Sequence, residues 1–392
     1  MAYTNHRIAK RNNLAYHEGL ALQILLIYHL LFAWIFTAFL GTHGGDAIRY
    51  WDLTADISQE AHTWLEHWGS RTFFIQWINY IPARILGLSF GVGNTLYALI
   101  SFLGFRILFI YLINNTPSDL TISWKGFLFW ILLFPNIHFW TAGVGKEAVL
   151  FTATCYALIG FTAIHKHYIQ IALAILLAWW IRPVFGAALI PVFYLALYLN
   201  PVLRKPHKIL ISISSTALLL YFTYQLTIMM HLEAFNMQGL RDFISSQFQF
   251  LEYFHAASYI PMEHYTLLEK LGTLFFRPFW HEIRGFWYFA AAVENTTFLI
   301  LLIISVSIVI KNKSVKIPQA VIFGLFYGCM IAVILIFSLN NLGIIIRMKS
   351  TFMIFLYITT AFIIIPNNLP TPRGTNPSQD ARPKTLDARG KT

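Results

Sequence analysis

Residues 179–186, WWIRPVFG, sit inside the apolar run 168–199. An arginine and a proline there leave two readings. The run is either one long tilted helix, since proline is tolerated inside membrane spans, or two helices that meet at Arg182. The choice sets the direction of every later segment.

Basic residues decide it. Cytoplasmic loops of membrane proteins carry an excess of Lys and Arg. The first 18 residues hold Arg7, Lys10 and Arg11, which places the amino terminus inside. With two helices meeting at Arg182, the basic loops PVLRKPHK (201–208) and KNKSVK (311–316) and the basic tail also fall inside. With one helix all three fall outside. The two-helix reading is preferred.

Composition supports a membrane setting. The 392 residues are 57% hydrophobic and 11% charged, whereas soluble domains carry about 25% charged residues. About ten apolar runs approach the length of a span: 19–40, 91–113, 124–140, 147–165, 168–181, 183–199, 209–230, 287–310, 317–339 and 349–365. The third, fifth and sixth are short, which leaves room for partly re-entrant segments. The expected fold is an all-α polytopic membrane domain over 1–365, with outer loops 41–90 and 231–286. A proline-rich, polar tail, 366–392, reads as disordered and cytoplasmic. The first run lacks a small-residue cleavage site after it and reads as a retained span. A formal charge of +11 sets topology in such a chain, and no basic-aromatic nucleic-acid module accompanies it. The cysteines, Cys155 and Cys329, form no CxxC and suggest neither disulfide nor zinc.

This topology gathers the unusual sequence on the outer face. Two amphipathic stretches there read as interfacial helices. One carries Leu53, Ile57, Trp64, Leu65 and Trp68 on one face. The other carries Leu240, Phe243, Ile244, Phe248, Leu251 and Phe254. Just beyond the first run stands THGGDAIRYWD (42–52), where Asp46 is either a turn aspartate or a catalytic carboxylate. Asp52 and Asp56 read as capping or solvated residues. Tyr50 and Trp51 could stack on a sugar or anchor the loop.

In FPNIHFWTAGVGKEAVLF (134–151), Lys146 and Glu147 stand at a helix start behind two glycines, a natural anion site. It is not a P-loop: Trp140 occupies the first glycine position and Glu147 replaces the Ser/Thr. A Lys–Glu pair at a span boundary is the plainer alternative. Arg182 and Arg347 lie close to hydrocarbon, where arginine faces a cavity or a partner, or snorkels to the interface. Arg106, on the opposite side of the bilayer, reads as structural. FFRPFWHEIRGFW (275–287) crowds Arg277, His281, Glu282 and Arg284 among aromatics, with Glu294 following in the next span. Guanidinium groups in such a setting suit phosphate; an interfacial aromatic belt with snorkelling arginines is the alternative. None of the 14 histidines falls in a metal-ligand spacing. Outer-face carboxylates leave a divalent ion open without requiring one.

A cytoplasmic amino terminus, one span, and an outer loop with an aspartate and an amphipathic helix resemble the GT-C superfamily of membrane glycosyltransferases. FWTAGVGKE, IRP, FFRPFWHE and NNLGIIIR also resemble uncharacterised membrane proteins of bacterial surface-polysaccharide loci. The GT-C resemblance covers the topology and first outer loop, and the remaining spans loosely. The doubled acidic pair of some members and the large extra-membrane domain of several are missing. It implies Asp46 as the catalytic base in GGDAIRYW. It further implies a polyprenyl-phosphate-linked sugar or glycan as donor, a glycan or lipid-linked acceptor, and an active site on the periplasmic face of a bacterial inner membrane. On that reading Lys146, Arg182, Arg347 and Arg277 would hold the donor phosphate. Tyr50, Trp51, Glu147, His281, Glu282 and Arg284 would contact substrate. An O-antigen-type polymerase using polyprenyl-pyrophosphate-linked repeats remains open, as does a transporter of a lipid-linked anionic glycan. Paired broken helices would favour the transporter, and the sequence offers only the IRP break.

Overall fold

The computed structural model describes residues 1–55, 61–116, 122–229, 237–253, 258–311 and 315–365. Asp56, Ile57, the 231–236 part of the second outer loop, and the tail 366–392 lie outside the described residues. The chain is all-α, and its β pairing among those residues is one isolated bridge between Tyr259 and Asn341. Helices α1 (Ala2–Arg11) and α2 (Tyr16–His43) are followed by α3 (Asp46–Trp51), α4 (Thr72–Asn79) and α5 (Phe90–Asn114). Next come α6 (Ile122–Ile131), α7 (Pro135–Thr141), α8 (Lys146–Gly160), α9 (Ile164–Ile181) and α10 (Pro183–Leu199). Then follow α11 (Lys205–Met229), α12 (Met237–Tyr253), α13 (Leu267–Phe276) and α14 (Phe286–Lys311). The last three are α15 (Gln319–Ile336), α16 (Leu342–Lys349) and α17 (Met353–Ile364).

Among the described residues, five helical stretches are long and apolar enough to cross a bilayer, and a sixth if α16 and α17, bent by 56°, count as one. These helices are apolar all round, the pattern of a helix without a water-facing side. In α2, Leu22, Leu25 and Leu26 face the core while Leu20, Ile24, Ile27 and Leu31 are exposed.

The stretch from Lys146 to Ile181 is a hairpin. Arg182, just past α9, donates from Nη2 to Glu147 Oε1 near the start of α8 at 2.6 Å, so the chain has returned to its own level. A second hairpin follows at once. Ile175 and Tyr194 both pack on the Trp179–Ile190 pair, which requires α9 and α10 to run antiparallel. Pro183 opens α10, where its missing N–H costs nothing. A Cβ on Gly186 would lie 2.4 Å from the Trp179 backbone nitrogen, so only glycine permits this turn.

The run 124–140 divides into α6 and α7 at residues 132–134, and side chains take up three of the backbone groups freed there. His138 Nε2 donates to Leu132 O at 2.7 Å, and the Tyr28 hydroxyl to Leu133 O at 2.8 Å. Asn136 N donates to a Glu294 carboxylate oxygen at 2.7 Å. With Nε2 of His138 donating, its Nδ1 accepts from His29 Nδ1 at 2.8 Å, and His29 Nε2 accepts from Ser101 at 2.6 Å. A break inside a span is tolerated when the freed groups are satisfied this way. The broken pair α16/α17 lies alongside, with Asn136 Nδ2 donating to Ile346 O at 3.1 Å. The sequence offered only the IRP break; the run 124–140 breaks as well, beside the bent pair α16/α17.

A second correction concerns residues 53–68. The described part of this stretch forms turns, not the expected amphipathic helix. Leu53 has φ 59°, which closes α3. Glu66 folds back to accept from the backbone N–H groups of His62 and Thr63 at 2.7 and 2.8 Å, offering them an alternative to helical bonds. The tryptophans still work as a group. Trp64 stacks on Trp77 of α4 at 5.0 Å, and Trp68 meets Trp77 edge-on at 4.7 Å. The second amphipathic stretch falls on a helix, α12, from Leu240 to Leu251, with Phe254 outside the described residues.

Candidate active site

The site is assembled by the loop between α7 and α8. A Cβ on Gly143 would stand 2.1 Å from the Phe36 ring, so glycine lets the loop rest directly on α2. Val144 N donates to Asn94 Oδ1 of α5 at 2.8 Å. Lys146 and Glu147 then open α8 in a fixed place. The first turn of a helix favours an acid, yet Glu147 is only 2% exposed.

Two arginines from distant parts of the chain answer that buried charge. Arg182 reaches it from the α9–α10 turn. Arg347 of α16 grips both carboxylate oxygens, Nε to Oε1 and Nη2 to Oε2, each at 2.9 Å. This fork is the strong geometry of guanidinium with carboxylate. The remaining Arg347 nitrogen, Nη1, lies 3.6 Å from Asp46 Oδ2, and its guanidinium stands over the Trp140 ring at 5.6 Å. Asp46 begins α3 after Gly44 and Gly45, whose φ of 68° and 152° favour glycine. Its side chain is 58% exposed. The cluster therefore has a buried floor, Glu147, and an open rim, Asp46.

Lys146 completes it. Its Nζ donates to Thr72 Oγ1 at 2.8 Å and stands 5.5 Å from the centre of the Tyr50 ring. Among the described residues no carboxylate forms an ion pair with Lys146. Three basic side chains thus face two carboxylates. In addition, Arg182 Nε is buried with no hydrogen-bond partner among the described residues. An orphaned donor and an unmatched basic group beside an open rim suit an anion. Burial, with the Asp46 carboxylate close by, pushes the Tyr50 phenol up from its ordinary value. Tyr50 therefore keeps its proton near neutral pH and does not serve as a base there.

Of the residues singled out in the sequence, Asp46, Tyr50, Lys146, Glu147, Arg182 and Arg347 come together. Thr72 and Trp140 join them without any sequence signal beyond their neighbours. Trp51 does not. It is 4% exposed, lies against Gly93 of α5 and donates to Leu88 O at 3.2 Å, away from the Glu147 pairs. Arg277 is locked onto Glu282 through Nε and Nη2, and no ion pair among the described residues joins it to the Glu147 cluster. Burial would raise the Glu282 carboxyl, but Arg277 and the Phe279 N–H hold it below the ordinary value. His281 stacks on Phe279 at 5.8 Å, and Arg284 is exposed in the same loop.

A divalent ion fits poorly here. No group of three His, Cys, Asp or Glu side chains converges among the described residues. The two carboxylates present both face Arg347, and a cation between them would meet its charge.

The chain matches no family model, no curated protein and no solved structure.

Proposed function

We propose that the protein is an integral-membrane glycosyltransferase of GT-C type. It would transfer a sugar or glycan from a polyprenyl-phosphate-linked donor to an acceptor hydroxyl at the outer face. The observation that carries this reading is the pairing of a half-exposed carboxylate, Asp46, with a cation cluster that has donors to spare. A transfer of this type needs both. Asp46 accepts the acceptor's hydroxyl proton as that oxygen attacks the anomeric carbon. The bond from that carbon to the phosphate oxygen breaks, and the polyprenyl phosphate leaves with the electron pair. It leaves as an anion, so it needs positive charge rather than an acid. Lys146, the free Arg182 Nε and Arg347 supply that charge where water is scarce.

The ten-span arrangement belongs to the same proposal: α2, α5, α6/α7, α8, α9, α10, α11, α14, α15 and α16/α17, with both termini inside. In a background lacking Cys329, a cysteine at Lys205 should resist an impermeant thiol reagent in intact cells, while one at Gln238 should label. Labelling at Lys205 would reverse the sidedness and put the cluster on the cytoplasmic face.

The direct test is incubation of purified protein with polyprenyl-phosphate-linked sugars and an acceptor glycan, following released polyprenyl phosphate. A companion measurement is donor binding by Lys146→Gln. That variant keeps the Glu147 pairs and so should stay folded, while donor affinity falls by about 1.5–3 kcal/mol, the worth of a charge-assisted contact. Unchanged affinity would remove Lys146 from the site. Release from pyrophosphate-linked donors alone would favour the polymerase.

The transporter is supported by one observation, the two interrupted helix pairs α6/α7 and α16/α17 that meet at Asn136 and Ile346. Broken helices of this kind build substrate sites in transporters. Tight donor binding with no release of lipid phosphate under any acceptor would favour it.

A further inference from the structure

A groove of about 610 Å³ opens along α5, α8 and α9, within the roughly 300–1,000 Å³ of ligand clefts. It runs from Val149 and Leu177, one turn from the Glu147 cluster, to Lys166 and His167 at the far end of the α8–α9 hairpin. Its walls are apolar for most of that length, and Leu173 in it is 60% exposed. In a spanning hairpin such a wall faces lipid tails. The far end differs. There the helix is interrupted at His167, with φ −123° and ψ 19°, and the sequence His165-Lys166-His167 stands exposed. Tyr156, Tyr168 and Gln170 add polar groups nearby, and no Asp or Glu lines the groove.

An apolar trough ending in a basic, carboxylate-free rim matches a lipid with an anionic headgroup. The cation identifies which end the headgroup takes. We propose that this groove holds one anionic glycerophospholipid of the leaflet opposite the Glu147 cluster. Its phosphate lies at Lys166, and an acyl chain lies along Leu173 between α5 and α9. This lipid is distinct from the donor, which approaches from the other end, and the proposal does not depend on the glycosyltransferase reading. The polyprenyl tail of that donor is the competing occupant. It would fill the same walls without using Lys166.

The test is native mass spectrometry of the full-length protein released from nanodiscs of mixed phosphatidylglycerol and phosphatidylcholine. The parent should retain phosphatidylglycerol preferentially. A lysine near an anionic surface contributes on the order of 1 kcal/mol, so Lys166→Gln should reduce the preference roughly five-fold. Lys166→Arg, which keeps the charge, should restore it. Leu173→Trp, a change at an exposed position that narrows the trough, should lower retention of both lipids. Equal retention of the two lipids by the parent would overturn the proposal. So would a preference unchanged in Lys166→Gln, which would return the groove to the donor's tail or to lipid without headgroup selection.

Discussion

Glu147→Gln is expected to destabilise the protein by about 3–5 kcal/mol, the usual cost of breaking a buried ion pair from one side. The glutamine keeps the shape and one acceptor oxygen, but it leaves Arg182 and Arg347 facing each other without their shared anion. Both guanidiniums now reach the carboxylate at 2.6–2.9 Å, and both side chains are mostly buried. Arg182 caps the turn between α9 and α10, and Arg347 rides on the short α16. Loss of the carboxylate therefore loosens two hairpins and a broken span together. Thermal unfolding in a fixed detergent measures this. A further outcome separates a counter-ion from a substrate contact. In the variant the two guanidiniums lack a counter-ion, so added inorganic phosphate should raise its midpoint more than the parent's, because a ligand that binds only the folded state stabilises it. A variant that melts with the parent would show that Glu147 is not what holds the arginines.

That prediction also marks where the sequence was legible. Long apolar runs are a strong signal, and 91–113 and 287–310 fall within a residue or so of α5 and α14. The basic loops led to a turn at Arg182, and the antiparallel packing of Ile175 and Tyr194 shows that turn. What stayed hidden was pairing over distance. Lys146 and Glu147 are adjacent and looked alike as ligands for substrate, yet one points to Thr72 and the other is consumed by arginines 35 and 200 residues away. No spacing rule carries that information. Trp51 misled for a related reason: an aromatic beside a charged loop reads as a platform until the glycine it packs on, Gly93, is known. The break at 132–134 was invisible because its compensation is tertiary. Tyr28, His138 and Glu294 satisfy it from three elements, and an apolar run looks the same with or without such partners. The turn at 62–66 defeated the helical pattern through local chemistry, a glutamate accepting from the backbone just before it.

Asp46→Asn should leave the fold and donor binding nearly intact while turnover falls by roughly 10²–10⁴-fold, the span typical of losing a general base. Geometry separates it from Glu147. Asp46 is 58% exposed, and its contact with Arg347 Nη1, at 3.6 Å, is the loosest in the cluster, so little stability rides on it. Asparagine also suits the first turn of α3 and leaves its backbone undisturbed. A carboxylate held this way is free to turn toward an incoming hydroxyl, whereas Glu147, two per cent exposed and gripped on both oxygens, is not. Tyr50, buried beside Asp46, keeps its proton. If transfer occurs at this cluster, Asp46 is, among the described residues, the exposed carboxylate placed to accept a proton beside the basic side chains. Asp52, exposed just past the end of α3, supplies the control. Asp52→Asn should change turnover by less than about ten-fold, well short of the range for a general base. The comparison requires equal membrane levels of both variants and a donor already shown to react with the parent. Undiminished turnover in Asp46→Asn would place the base elsewhere, and a larger loss at Asp52 would name the other carboxylate. Weakened donor binding in Asp46→Asn with turnover preserved at saturation would instead make Asp46 a gate on Arg347, holding the guanidinium until the phosphate arrives.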